Sequence, residues 1–188
     1  MIETQGLKEF SAGSYADALA SCESAGHRAL FMSEVARARI AGGLSWGNWY
    51  NSLSLRVTGR SKQGNPVVLY VHTDHPLVTS KGVRHANRPG FVNVAASFSK
   101  TVFLQLLERD GEKADDGTYC VKAVPHGRLT ESPSGIISID DALDHPQTVP
   151  FLGSEDVAKQ YLAAFRKSYG IDKIGIWHSD DLHDEGPL

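Results

Sequence analysis

Apolar residues in the amino-terminal part of the chain recur at the three-and-four spacing of a helix. Tyr15, Ala18, Leu19 and Cys22 form one stripe, and Ser14 with Asp17 three residues later opens it like a capping box. Gly26 breaks the pattern. A second helical stretch then runs from about His27 to Ile40 and stops at Gly42-Gly43, where glycine accepts the left-handed exit geometry. After the aromatic segment Leu44 to Tyr50 the period changes to two. Ser52-Leu53-Ser54-Leu55-Arg56-Val57-Thr58 alternates strictly, as a half-buried strand does, with Leu53, Leu55 and Val57 inward and Ser54 and Arg56 outward. A polar turn, Gly59 to Pro66, connects it to the more apolar run Val67 to His72, and the two read as an antiparallel hairpin.

Farther along, His75-Pro76 ends the second strand, because proline cannot donate to a ladder. Lys81 to Pro89 reads as a basic loop and Phe91 to Ala95 as a short strand. Val102, Phe103, Leu106 and Leu107 place a helix from about Ser99 to Arg109, and Asp110 to Thr118 is a charged loop. Strands follow at Tyr119 to Val124 and Ile136 to Ile139, with one helical turn at Asp140 to Asp144 before His145-Pro146. Ser154 caps the longest helix, Glu155 and Asp156 favour its positive end, and Gly170 closes it. Lys173 to His178 is the last strand, and the acidic stretch Asp180 to Glu185 follows it. The expectation is a single α+β domain over residues 1–188, with no internal linker. It has an antiparallel or mixed sheet, an N-terminal helical segment and two later packed helices.

Composition narrows the function classes. A chain of 188 residues buries about 70% of its unfolded surface without staples. Two cysteines, Cys22 and Cys120, are too few for a disulfide framework and read as unpaired thiols in a reducing, cytoplasmic setting. Met1 to Gln5 lacks the basic-then-apolar order of a signal peptide, and Pro66 to Val71, the longest apolar run, is too short to cross a bilayer. The net charge of −3 does not favour a nucleic-acid partner.

Short motifs offer chemistry. Gly43-Leu44-Ser45-Trp46-Gly47 resembles the nucleophile elbow of the α/β-hydrolases, but here a helix precedes the serine and a strand follows it, the reverse of that elbow. His72-Thr73-Asp74-His75 resembles half of the metal motif of the metallo-β-lactamase fold, with Tyr70 where that family has a further histidine. His72 and Asp74, with His126 as the distant partner, also resemble an iron facial triad.

A pattern internal to the chain suggests more. Val68 to Asp74 and Ile174 to Asp180 are both apolar strands ending in His, a hydroxyl residue, then Asp. If the two ends are neighbours, His72, Asp74, His178 and Asp180 form a catalytic set. His72, Asp74 and His178 could then hold a divalent metal ion. Lys81, Arg84 and Arg88, with His126-Gly127-Arg128 in another loop, could clamp phosphate, since guanidinium offers a bidentate fork. The leading expectation is therefore a small hydrolase of a phosphoester or nucleotide-like substrate. The alternative is a non-enzymatic binding or regulatory domain that contacts a partner through the aromatic segment or the basic loop; the ligand expected is a small molecule or a phosphate-bearing one. A third reading makes the histidines structural. Whether His72 and His178 meet in space separates the first of these from the rest.

Overall fold

A computed structural model of the chain describes residues 7–48, 50, 52–86, 99–126 and 136–175. The helix α1 (Tyr15–Ser24) begins at Ser14, whose Oγ accepts from the Asp17 amide as the capping pattern requires. Ala16, Leu19 and Cys22 are its buried positions, and Tyr15 donates from its hydroxyl to the Ser52 carbonyl. Burial, with smaller contributions from Glu23 and Cys22, pushes the Tyr15 phenol up to about 12.

The second helix, α2 (Met32–Ile40), starts later than its apolar pattern suggests. The Leu53 amide takes the Leu30 carbonyl, so the chain before Phe31 is held by the strand region and not coiled. Glu34 then reaches back to the Phe31 amide, 2.7 Å away, and closes the helix start.

β1 (Leu55–Arg60) and β2 (Pro66–Val71) form the expected antiparallel hairpin, with Val57 opposite Leu69 and Arg56 opposite Tyr70. β3 (Val121–Pro125) joins the other edge of β2 antiparallel, so β2 is the middle strand. On one face Val57, Leu69, Val71 and Val121 pack against Phe103 and Leu106 of α4 (Lys100–Leu107). The other face, with Val68, Tyr70 and Val124, is covered by Phe151. This second cover corrects the expectation that Ser54 and Arg56 face solvent: both are half-buried, and Arg56 Nε donates to the Tyr70 hydroxyl at 3.4 Å.

The segment expected to be a basic loop from Lys81 begins as helix. A 3-10 turn at Pro76–Val78 leads into α3 (Ser80–Ala86). Glu23 of α1 accepts from both the Ser80 amide and the Ser80 hydroxyl, which supplies the cap that the local sequence does not advertise. Val78 and Val83 pack here with Ala16, Leu19 and Leu53.

β4 (Ile136–Ser138) and β5 (Lys173–Gly175) pair antiparallel as a second, smaller sheet. α5 (Ile139–Ala142), α6 (Thr148–Leu152) and α7 (Glu155–Tyr169) lie between them in sequence. α7 buries Val157, Ala158 and Tyr161 against Ala36 of α2 and Leu152 of α6, while Leu162 packs with Ile139, Ala142 and Ile174. The fold is α+β, with its helices distributed around antiparallel sheets. Cys22 is buried, Cys120 is partly buried, and neither is in a disulfide. The strand expected at Phe91 to Ala95 lies outside the described residues.

Gly153, between α6 and α7, is held at φ +88°, and a Cβ there would sit 2.6 Å from Ser33 Cβ and 2.8 Å from Thr118 Cγ2. Its neighbour Ser154 caps α7 by accepting from the Val157 amide at 3.2 Å. Ser154→Ala should cost about 1 kcal/mol in urea unfolding. Gly153→Ala combines left-handed strain with overpacking and should cost about 3 kcal/mol. Equal costs for the two would show that this close approach is not a constraint.

Candidate functional site

The end of β2 is where the catalytic expectation centred, and the residue there is buried. His72 is 5% exposed, and both its ring nitrogens are bonded: Nδ1 to Ser54 Oγ and Nε2 to the Pro150 carbonyl, each at 2.7 Å. A carbonyl can only accept, so Nε2 carries the proton, and Nδ1 accepts from the Ser54 hydroxyl. Ser54 Oγ in turn accepts from the Met32 amide at 2.8 Å. One imidazole therefore links the start of α2, the approach to β1, the end of β2 and α6. Burial pulls the His72 pKa below its ordinary value, against smaller upward pushes from the Pro150 carbonyl and Glu34.

A second buried link lies one pair of residues back on the same strand. The Tyr70 hydroxyl donates to Gln147 Oε1, and Gln147 is fully buried. Burial raises the Tyr70 phenol pKa, and Arg56 opposes that shift. These groups brace the fold from within and present no reactive atom outward.

The other expected site residues fall apart in space or outside the described residues. Asp74 is exposed, away from the environment that buries His72. His178, Asp180, Arg88 and Arg128 lie outside the described residues, as does the side chain of Arg84; Lys81 is exposed on α3. Ser45 sits in an exposed turn after α2, where its Oγ accepts from the Gly47 amide at 3.1 Å. Among the described residues no three His, Cys, Asp or Glu side chains gather as a metal site, which corrects the metal-binding expectation. The ring that was to lead that site has both nitrogens engaged within the core.

The aromatic segment is an anchor. Trp46 packs on Tyr161, Phe165 and Tyr169 of α7 with ring centroids 5.0, 6.0 and 6.4 Å away, and Arg39 lies over both Trp46 and Tyr50.

An open cleft of about 450 Å³ lies at a different place, between α1, residues 27–29 and the connection from β2 to α3. Leu19, Ala29, Leu53 and Val78 make it apolar, while Glu23, His27, Arg28, Asp74 and His75 bring charge and imidazoles to it. Arg28 is committed to Glu34 through two bonds of 2.9 and 2.7 Å. Burial pushes the Glu34 carboxyl up, but the Arg28 bonds and the Phe31 amide outweigh it and hold the carboxyl below its ordinary range. Arg28 and Asp74 line the same cleft, a meeting that the sequence pattern does not announce. The pattern that could have revealed the pair is Glu34 three residues after Phe31, which marks the true start of α2 and leaves Arg28 outside the helix.

No family model matches the chain, and no curated protein matches it. A solved structure, from work on the accommodation of massive sequence variation in Nanoarchaeota by the C-type lectin fold, is 43% identical with a TM-score of 0.77. The match covers 95% of this chain and 81% of that one. The chain belongs to the C-type lectin fold family. Membership overturns the hydrolase expectation: a C-type lectin fold of this kind points to a binding domain, and its strand-end histidine is part of the core.

The buried histidine makes stability depend on pH. Because the folded state disfavours protonation of His72, the unfolded chain binds more protons below the ordinary imidazole value of about 6.5, and stability falls there as pH drops. His75, also lowered by burial and then by Arg109, adds in the same direction. Above that value the contribution of both is complete. Denaturant midpoints measured from pH 8 down to pH 5 should therefore decline. His72→Ala should lose about 2–4 kcal/mol at pH 8, since it strands the Ser54 hydroxyl and the Pro150 carbonyl, and should flatten that decline. An unchanged slope in the variant would remove His72 as its source.

Proposed function

We propose that this chain is a non-enzymatic binding domain, a C-type lectin scaffold whose internally braced core carries a recognition surface that changes independently of it. The observation that carries this reading is the 43% identity to a solved C-type lectin fold protein, matched over 95% of the chain. That protein is described as accommodating massive sequence variation. A scaffold does so when its polar groups are satisfied by one another, because surface changes then leave the core intact. His72, Ser54, Pro150 and the Tyr70–Gln147 pair are of that kind here.

The recognition surface on this reading includes the cleft beside Asp74. A phosphate-bearing ligand is a finer version of the same proposal, supported by the exposed Lys81 on α3, which lies outside that cleft and away from the Asp74 carboxylate in its lining.

The test compares substitution tolerance with binding. Replacing the exposed residues His27, Asp74 and Lys81 one at a time should each change stability by less than about 0.5 kcal/mol. Gln147→Leu, which leaves the Tyr70 hydroxyl without its acceptor inside the core, should cost about 1–3 kcal/mol. In parallel, the whole chain would be screened against immobilised proteins, glycans and inorganic phosphate, and for phosphoester hydrolysis. Saturable binding without turnover supports the proposal. Turnover of a phosphoester, abolished by a surface substitution, would overturn it.

A further inference from the structure

The cleft is more selective than its mixture of charges suggests, because most of those charges are already used. Both Glu23 oxygens serve Ser80, one accepting from its amide at 2.9 Å and the other from its hydroxyl. Arg28 forks onto Glu34 with both terminal nitrogens, and Nη1 also meets the Ala29 carbonyl at 2.9 Å. His27 lies against the Phe10 ring with centroids 5.8 Å apart, and His75 Nδ1 accepts from the Leu77 amide. Asp74 has a carboxylate with no hydrogen-bond partner among the described residues, and Arg28 acts on it only through space.

The surroundings of that carboxylate are apolar. Leu19, Leu53 and Val78 are each less than a tenth exposed, and they line the same cleft with Ala29. The arrangement offers an uncommitted anionic acceptor beside an aliphatic surface. Arg28 is neutralised by Glu34, and the Glu23 charge is turned toward the first turn of α3, so Asp74 sets the sign of the charge left for a ligand.

We propose that this cleft binds an alkylammonium group, the lysine side chain of a protein partner, with the aliphatic stem on Leu19, Leu53 and Val78 and the ammonium on Asp74. This rests on the binding-domain reading and names the ligand chemistry of its cleft. A lysine stem covers apolar surface while its charged head stays at the rim, which matches an open cleft with its carboxylate exposed. An acidic ligand would meet Asp74 with like charge, and a purely apolar one would leave the carboxylate unused.

Backbone-blocked lysine, norleucine and glutamate, titrated into the whole chain, test this by amide chemical shifts in two-dimensional NMR spectra. Blocked lysine should shift the amides of Leu53, Asp74, Val78 and Thr79 saturably. It should bind about fivefold more tightly than norleucine, the size expected of one exposed charge pair, and glutamate should leave these amides unmoved. Asp74→Asn, at an exposed position, should fold normally and bring lysine down to the norleucine level. Equal binding of lysine and norleucine, or a preference for glutamate, overturns the assignment. Shifts confined to other surfaces also overturn it while leaving the binding-domain reading intact, since that reading requires only that some surface bind without turnover.

Discussion

A buried imidazole with both nitrogens spoken for is the interaction on which most of this structure depends. His72 ends the central strand, yet its bonds go to Ser54 before β1 and to Pro150 in α6, while Ser54 holds the first amide of α2. Three elements far apart in sequence are thus registered by hydrogen bonds around a buried ring. Such bonds are individually modest, but a missing partner costs the full desolvation of the group left behind. The geometry consequently specifies position more than it supplies net stability. Burial also favours the neutral ring, because an imidazolium enclosed there would lose its hydration.

The same strand explains why the core tolerates no simple one-sided description. β2 is paired on both edges and covered on both faces, by α4 on one side and by Phe151 on the other. Its run of Val68 to Val71 is almost wholly buried for that reason. Tyr70 faces the side where Arg56 and Gln147 approach, so its hydroxyl needs a partner inside the protein. Gln147, immediately before α6, supplies it and at the same time brings α6 to the sheet. The polar atoms and the apolar packing therefore define one arrangement between them.

What the sequence reveals follows from how local each cause is. The α7 helix is readable because Ser154, the acidic first turn and Gly170 all act within the helix itself. The hairpin is readable from alternation and a polar turn. α3 is not, because its cap comes from Glu23, and Gly82 sits in it where a Cβ would lie 2.2 Å from the Pro76 carbonyl. Neither fact is visible in Lys81 to Pro89 alone. α2 starts later than its apolar pattern implies for a similar reason, since the Leu30–Leu53 backbone bond holds the preceding residues. His72 shows the limit most clearly. A histidine after an apolar strand reads equally well as a ligand or as a core residue, and the residues that decide the matter lie 18 and 78 positions away.

Asp74 and His72 stand two residues apart and illustrate how the fold divides its polar groups. One is enclosed and fully used, the other exposed and unused. A substitution at the first disturbs three elements; one at the second breaks no hydrogen bond among the described residues. The group that registers these elements is therefore not the group that solvent reaches. The cleft lies at the boundary between these two classes. Its walls Leu19, Leu53 and Val78 belong to the core cluster that joins α1 to α3, while its charge at Asp74 does not. Shape at that site is therefore inherited from folding, while the charge at Asp74 is not tied to the hydrogen bonds that hold the described residues together.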